Sequence, residues 1–142
     1  MTRVDFYIIN STDAAARLQL SCRMAEKAWS QQYQVYVHAP DAHSANNLDQ
    51  LMWTFRAGSF VPHQLAGESA TDCPVQIGYG AEPESGYQVL INLDEEVPLF
   101  FSRFERVVEI VNLDEKVRQA GRNRFKFYRD RGYDLYSHNL DG

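Results

Sequence analysis

The chain has 142 residues, and its 14 Lys and Arg stand against 19 Asp and Glu, which gives a formal net charge of −5. This length suits one domain, and we expect residues 1–142 to fold together. A hydrophobic content of 44% excludes disorder as the main state. The acidic balance argues against a protein that coats nucleic acid with its whole surface.

The first part of the chain alternates between strand and helix patterns. Apolar runs rich in strand-forming residues are each followed by apolar residues at helical spacings of three and four. The predicted elements are strands at Arg3–Ile9 and 34–39, and helices from residue 14 to near Ser30 and after Asp41. Both helices begin after residues suited to capping. This order favours a parallel sheet with helices packed on its faces.

The second part contains more strands and one long helix. We predict short strands at 59–63, 75–79, 87–93 and 106–111, a short helix at 97–104, and a final helix at 115–131 between an Asp114 cap and Gly132. Pro62 restricts the first of these strands to an edge or an end position. The whole pattern predicts an α/β fold in three layers, with a largely parallel, Rossmann-like sheet flanked by helices.

The turn after the first strand argues against a nucleotide site. A mononucleotide fold cradles phosphate there and needs glycines for close backbone approach. Residues 9–13 contain no glycine, and Asp13 would repel an anion. We therefore expect this fold without a phosphate-binding loop.

No catalytic or metal centre can be assembled from the remaining motifs. The histidines lack ligand spacing, the serines lack a nucleophile elbow, and the acidic run at 94–96 is typical of a solvated surface. We expect His63 to be buried and hydrogen-bonded, and no metal or other cofactor. Cys22 and Cys73 are predicted to be buried or half-buried thiols of a reduced, cytoplasmic protein. No apolar run approaches the roughly 20 residues that span a membrane.

The charge is unevenly distributed along the chain. Residues 116–142 hold seven bases and three acids, a net charge of +4, so residues 1–115 carry a net charge of −9. At about 100° per residue, one face of the final helix gathers a basic stripe, which consists of Arg118, Arg122, Phe125, Lys126 and Arg129. A second face should pack on the sheet and consists of Val117, Ala120, Arg124, Phe127 and Tyr128, with the Arg124 head in water.

The basic stripe has two interpretations, a solvated helix face or an anion-binding face in which Phe125 is exposed. Arginine binds carboxylates bidentately, and an aromatic ring adds contact area. Nucleic-acid phosphate is one candidate ligand, and an acidic peptide held by its C-terminal carboxylate is another. The negative charge of the rest of the chain favours the peptide.

Residues 51–67 form a second unusual segment, which is rich in aromatic side chains and poor in charge. Its rings include Trp53 and Phe60. The segment is either core alone or core together with a surface for a protein partner.

Several of these blocks resemble one known family. DFY near the start, LMWTFRAGSFVPHQLAGE in the middle, PVQIGYG, VLINL and the closing RVVEIV with its basic helix are similar to the chi subunit of bacterial DNA polymerase III holoenzyme. The similarity is collinear over nearly the whole chain. It implies an α/β fold and no catalysis of its own, within the holoenzyme of a DNA-directed DNA polymerase.

The resemblance also implies partners. Family members join the clamp loader through the small psi subunit and bind the acidic C-terminal tail of single-stranded DNA-binding protein (SSB), so that contact with DNA is indirect. They also partner a repair helicase of the XPD-like class. The tail site falls on Val111, Arg118, Arg122, Phe125 and Lys126, and the psi site falls on Trp53, Phe60 and Val61.

Within the tail site, the resemblance assigns a role to each residue. Val111 and Phe125 would form the walls of the apolar pocket, and Arg122 would hold the terminal carboxylate. Arg118 and Lys126 would contact upstream acids. Two alternatives remain: a Rossmann-like nucleotide-binding enzyme, and a module that binds DNA directly through the basic helix.

Overall fold

The computed structural model describes residues 2–58, 60–66, 73–83 and 86–140. In chain order its elements are β1 (Arg3–Ile9), α1 (Ala14–Ser30), β2 (Val35–Ala39), α2 (Ala42–Thr54), β3 (His63–Leu65), β4 (Val75–Tyr79), β5 (Val89–Asn92), β6 (Arg106–Val111), α3 (Glu115–Asp130) and β7 (Asp134–Leu140). A single 3₁₀ turn lies at Phe101–Arg103.

The seven strands form one sheet in the order β3-β4-β2-β5-β6-β1-β7. Every pairing between neighbours is parallel. Parallel strands need crossover connections, and α1, α2 and α3 provide three of them. The predicted α/β class and parallel sheet are confirmed.

Alternate strand residues serve two separate cores, because successive side chains in a strand point to opposite faces. One core packs α1 and α2 against the sheet and includes Leu20, Leu48 and Ile91. The other lies on the opposite face and includes Phe6 and Tyr128, together with rings from the segment before β6. The molecule therefore has the three predicted layers.

Each helix begins at an aspartate whose carboxylate accepts a backbone N–H of the first turn. The N–H groups are those of Ala15 for Asp13, at 3.0 Å, Ser44 for Asp41, at 2.8 Å, and Val117 for Asp114, at 3.2 Å. These bonds satisfy donors that the helix itself leaves unpaired. The predicted starts of all three helices are confirmed.

Two predicted elements are corrected by the structure. The strand placed at 59–63 lies at His63–Leu65, because Pro62 has no N–H to donate to a ladder; Ser59 lies outside the described residues. The edge position expected from Pro62 is confirmed. The helix predicted at 97–104 is a single 3₁₀ turn, whose neighbouring rings Phe100, Phe101 and Phe104 are all buried in the core.

Strand β7 was not predicted, because its sequence DLYSHNL shows no regular alternation of polar and apolar residues and none of its residues is buried. It pairs with β1 at the edge of the sheet. The buried carboxylate of Asp5 on β1 accepts hydrogen bonds from His138 on β7 (2.8 Å), Arg106 on β6 (2.9 Å) and Arg3 (3.0 Å). Burial alone would raise the pKa of Asp5, but the hydrogen bonds from Arg3, His138 and Arg106 hold it below its usual value.

The two cysteines match their predicted environments. Cys22 is buried and Cys73 is half-buried, and neither forms a disulfide. Burial raises the pKa of Cys22 to about 12, so its thiol stays neutral. Among the helices in the described ranges, none has the length and apolar character required to cross a bilayer.

Candidate partner-binding site on the final helix

Helix α3 approaches strand β6 closely at a glycine. A Cβ atom added to Gly121 would lie 2.5 Å from Cγ1 of Val111, closer than such carbon atoms approach. The missing side chain therefore lets the helix backbone pack directly over the end of β6. As a result Val111 is 7% exposed and lies beneath α3.

A buried ion pair fixes the rotation of α3 on the sheet. Arg124 is 3% exposed and Glu109 is fully buried. The Arg124 Nε donates to Glu109 Oε1 at 2.8 Å, and its Nη1 donates to the Glu95 carbonyl at 2.9 Å. The expectation that the Arg124 head lies in water is therefore wrong. Glu109 points from the middle of a buried strand and requires a cation close to it.

Two neutral groups complete this network around Glu109. Its Oε2 accepts from the Tyr128 hydroxyl at 2.7 Å and from the Asn92 amide at 3.0 Å. Burial, followed by the charge of Glu109, raises the pKa of Tyr128, so the hydroxyl keeps its proton and remains a donor. Both carboxylate oxygens are therefore bound, which is what a buried acid needs.

With α3 held in this way, the basic stripe points outward. Arg122 and Lys126 are exposed and Arg118 is half-buried. Within the part of the chain that the structure describes, no salt bridge engages any of the three. Arg129 differs, because it pairs with Asp130 at 3.2 Å. Three cations of the stripe are therefore available to an external anion.

Phe125 is half-buried, so the expected fully exposed ring is corrected. It packs edge-on against Phe6, with 5.2 Å between ring centroids. Ile8, which is also half-buried, lies beside Val111 in register on the same sheet face. Sequence reasoning missed Phe6 and Ile8, although their alternate positions in β1 place them on one face.

The aromatic segment has a second exposed surface at the other edge of the sheet. Trp53 is 49% and Phe60 is 61% exposed, and their ring centroids are 5.8 Å apart. Val61 is fully buried in the core, so it is not itself part of this exposed surface. We call Trp53 and Phe60 the aromatic patch.

His63 anchors the aromatic patch to the body of the protein. Its ring lies 4.3 Å from that of Trp53, centroid to centroid. Its two ring nitrogens lie 2.7 Å from the Val61 carbonyl and 3.0 Å from the Asp49 carbonyl. The sequence-based expectation of a buried, hydrogen-bonded histidine is confirmed.

The turn after β1 is used for capping. The Asp13 carboxylate binds the Ala15 N–H, so it occupies the place that a phosphate would take at a helix start. Within residues 2–58, 60–66, 73–83 and 86–140, no three metal-binding side chains of His, Cys, Asp or Glu lie together.

The family model described as "DNA polymerase III chi subunit, HolC" matches residues 1–136. The chain belongs to this family. The resemblance seen in the sequence blocks is thereby confirmed. Chi-family membership is also supported by full-length relatives, all named DNA polymerase III subunit chi.

Three of these relatives cover almost the whole chain. The Pseudomonas aeruginosa protein is 49% identical over 140 residues, which is 99% of this chain and 98% of the relative. The Escherichia coli protein is 32% identical over 141 residues, which is 95% of this chain and 96% of the relative. The Haemophilus influenzae protein is 27% identical over 137 residues, with 95% of each chain covered.

The fold is also similar to that of a protein with an unrelated sequence. A crystal structure of T4 UvsW matches 99% of this chain with a TM-score of 0.71 and 8% sequence identity. The matched part is 42% of the UvsW chain. At this identity the similarity shows the α/β fold alone.

Proposed function

We propose that this chi-family chain is a non-catalytic accessory subunit of DNA polymerase III. It links the clamp loader, through psi, to the acidic C-terminal tail of SSB during DNA replication. The observation that carries the proposal is the basic stripe, in which Arg118, Arg122 and Lys126 surround a half-buried Phe125 without acidic partners among the described residues. An acidic peptide complements such a surface.

The tail would bind with its last residue next to Phe125. Arg122 is exposed, and its planar guanidinium suits a terminal carboxylate, which it can hold with two parallel hydrogen bonds. Arg118 and Lys126 lie one turn away on either side and would contact acids upstream. Val111 offers the tail only a small exposed area, because α3 covers most of its side chain. The apolar contact would therefore come mainly from Phe125.

The proposed affinity is modest. One bidentate charge pair and one partly buried ring suit micromolar binding, about −8 kcal/mol. Much of this energy is charge attraction near the surface, where salt screens it over about 8–10 Å. Binding should therefore weaken as ionic strength rises.

Psi would dock on the aromatic patch. Exposed Trp and Phe side chains are enriched at the centres of protein interfaces. Phe60 is the more exposed of the two rings and is the expected anchor, with Trp53 beside it, whereas Val61 is buried and would act only through its place next to Phe60 in the chain. The aromatic patch lies by β3 and the basic stripe lies by β1 and β7, toward opposite edges of the sheet. The two partners would therefore not compete for the same surface.

Calorimetry with a peptide of the SSB tail tests the tail site. Arg122→Ala should weaken binding about tenfold or more, because the carboxylate loses a bidentate partner. Deleting the last residue of the peptide should have a similar effect, since it moves the carboxylate.

Arg23→Ala is the matched control, because Arg23 is an exposed arginine on α1, away from the basic stripe. Its affinity for the tail should equal that of the unmodified protein. Full-strength binding by Arg122→Ala would contradict the site assignment.

A further inference from the structure

A cavity of about 110 Å³ lies on the side of α3 that faces away from the basic stripe. It opens to solvent between α3, α1 and the segment after β5, and its charged lining residues are the cations Arg17, Lys116 and Arg124 and the acids Asp94 and Glu95. Its volume is several times what one water molecule needs. Nothing in the proposed function uses this cavity.

Arg124, one of the lining residues, has an unused donor. Its Nε binds Glu109 and its Nη1 binds the Glu95 carbonyl. Its Nη2 is buried and has no hydrogen-bond partner among the described residues. Buried guanidinium N–H groups normally donate to an acceptor. The missing acceptor of this nitrogen is therefore unusual.

Arg17 brings a second cation to the same cavity. Its Nε donates to the Ile110 carbonyl at 2.8 Å and its Nη2 to the Leu93 carbonyl at 3.4 Å. No carboxylate of the described residues lies within salt-bridge distance of it. Burial, followed by the nearby charge of Arg124, lowers the pKa of Arg17 to about 10, although the charge of Glu109 opposes this shift in part. An anion between the two guanidiniums would offset this repulsion.

The acids around the cavity are already engaged or exposed. Asp94 Oδ2 lies 3.3 Å from His38 Nε2, and Asp94 Oδ1 accepts the Glu95 N–H at 2.7 Å. Glu109 binds Arg124, Tyr128 and Asn92. The Glu95 side chain is exposed, where water screens it. None of them supplies the acceptor that Nη2 lacks.

We propose that this cavity binds a compact oxyanion of phosphate size, held by Arg124 Nη2, Arg17 and Lys116. Arg124 and Arg17 would contact it from inside, and exposed Lys116 would close the mouth. Inorganic phosphate and the phosphate group of a nucleotide share this chemistry.

The test is a titration of the full ¹⁵N-labelled chain with inorganic phosphate at constant ionic strength, followed by NMR. We expect saturable shifts at the Arg17 and Arg124 Nε–H groups and at the amides of residues 116–120. Lys116→Gln should weaken binding about two- to fivefold, as removal of a rim charge does. Because Lys116 is exposed, this variant should fold normally.

Lys27→Gln is the matched control, because Lys27 is an exposed lysine near the end of α1 that belongs neither to the basic stripe nor to the lining of the cavity. It should leave phosphate binding unchanged. A parallel titration with a deoxynucleoside monophosphate separates the two sources: tighter binding assigns the site to a nucleotide phosphate, and equal binding assigns it to the free ion. Non-saturating shifts, or equal losses in both lysine variants, would show an adventitious ion only and overturn the proposal.

Discussion

The pair formed by Glu109 and Arg124 holds α3 in the orientation that presents the basic stripe. Buried ion pairs often contribute little net stability, because desolvation offsets the attraction. Removing one partner is different, since it leaves a buried charge without compensation. The pair therefore acts mainly on the orientation of α3. When Arg124 points into the molecule, Arg122 and Lys126 on the other side of the helix point outward.

Glu109→Gln should lower the free energy of unfolding by about 3–5 kcal/mol, because Arg124 loses its countercharge. Urea denaturation followed by circular dichroism measures this change. Glu105→Gln is the control, since Glu105 is exposed, and it should change stability by less than about 0.5 kcal/mol. Equal effects of the two substitutions would show that the buried pair does not hold α3.

For single residues, the sequence predicted which side chains share a helix face, but it did not predict which of them are paired inside the molecule. Helical angles correctly grouped Arg118, Arg122 and Lys126, because the periodicity of a helix fixes which residues share a face. The same angles placed Arg124 on the buried side, but whether its guanidinium lies in water or in the core depends on Glu109, which lies in a distant strand. An acid inside the apolar run RVVEIV, combined with an arginine on an inner helix face, was the available signal for this pair.

At the scale of elements, burial decided which predictions succeeded. The strands β1, β4 and β6 have the predicted bounds, because most of their residues are apolar and lie in the core. Strand β7 lies at an edge, and its sequence DLYSHNL contains only one aliphatic residue at each end of the run. Its pairing depends on contacts with β1, such as the bond between His138 and Asp5, which no local pattern reports.

The aromatic patch yields an element-scale prediction. Phe60→Ala should weaken psi binding about tenfold or more, because a central exposed ring is lost from the interface. It should change stability little, since the ring is 61% exposed. A pull-down with psi, combined with a thermal melt of the free variant, measures both effects.

Leu99→Ala provides the comparison for this experiment, because Leu99 is 98% exposed and lies outside the aromatic patch. Psi should bind this variant normally. If Phe60→Ala binds psi as well as Leu99→Ala does, the psi site lies elsewhere.

At the scale of the whole molecule, the net charge of −5 conceals two parts of opposite sign. The segment from residue 116 onward carries +4 and the preceding residues carry −9. A DNA duplex approaching the basic stripe would also meet the negative field of the body. A short acidic peptide can bind the stripe while its remaining chain extends away, so the charge distribution favours a protein tail over DNA.

The most direct test compares binding of this protein to three targets under the same salt conditions: a bare single-stranded oligonucleotide, the same oligonucleotide coated with intact SSB, and one coated with SSB that lacks its C-terminal tail. Fluorescence anisotropy or a gel shift measures each interaction. The proposed function predicts binding to the intact coated form alone. Equally tight binding to the bare oligonucleotide, or undiminished binding to the tail-less form, would contradict it.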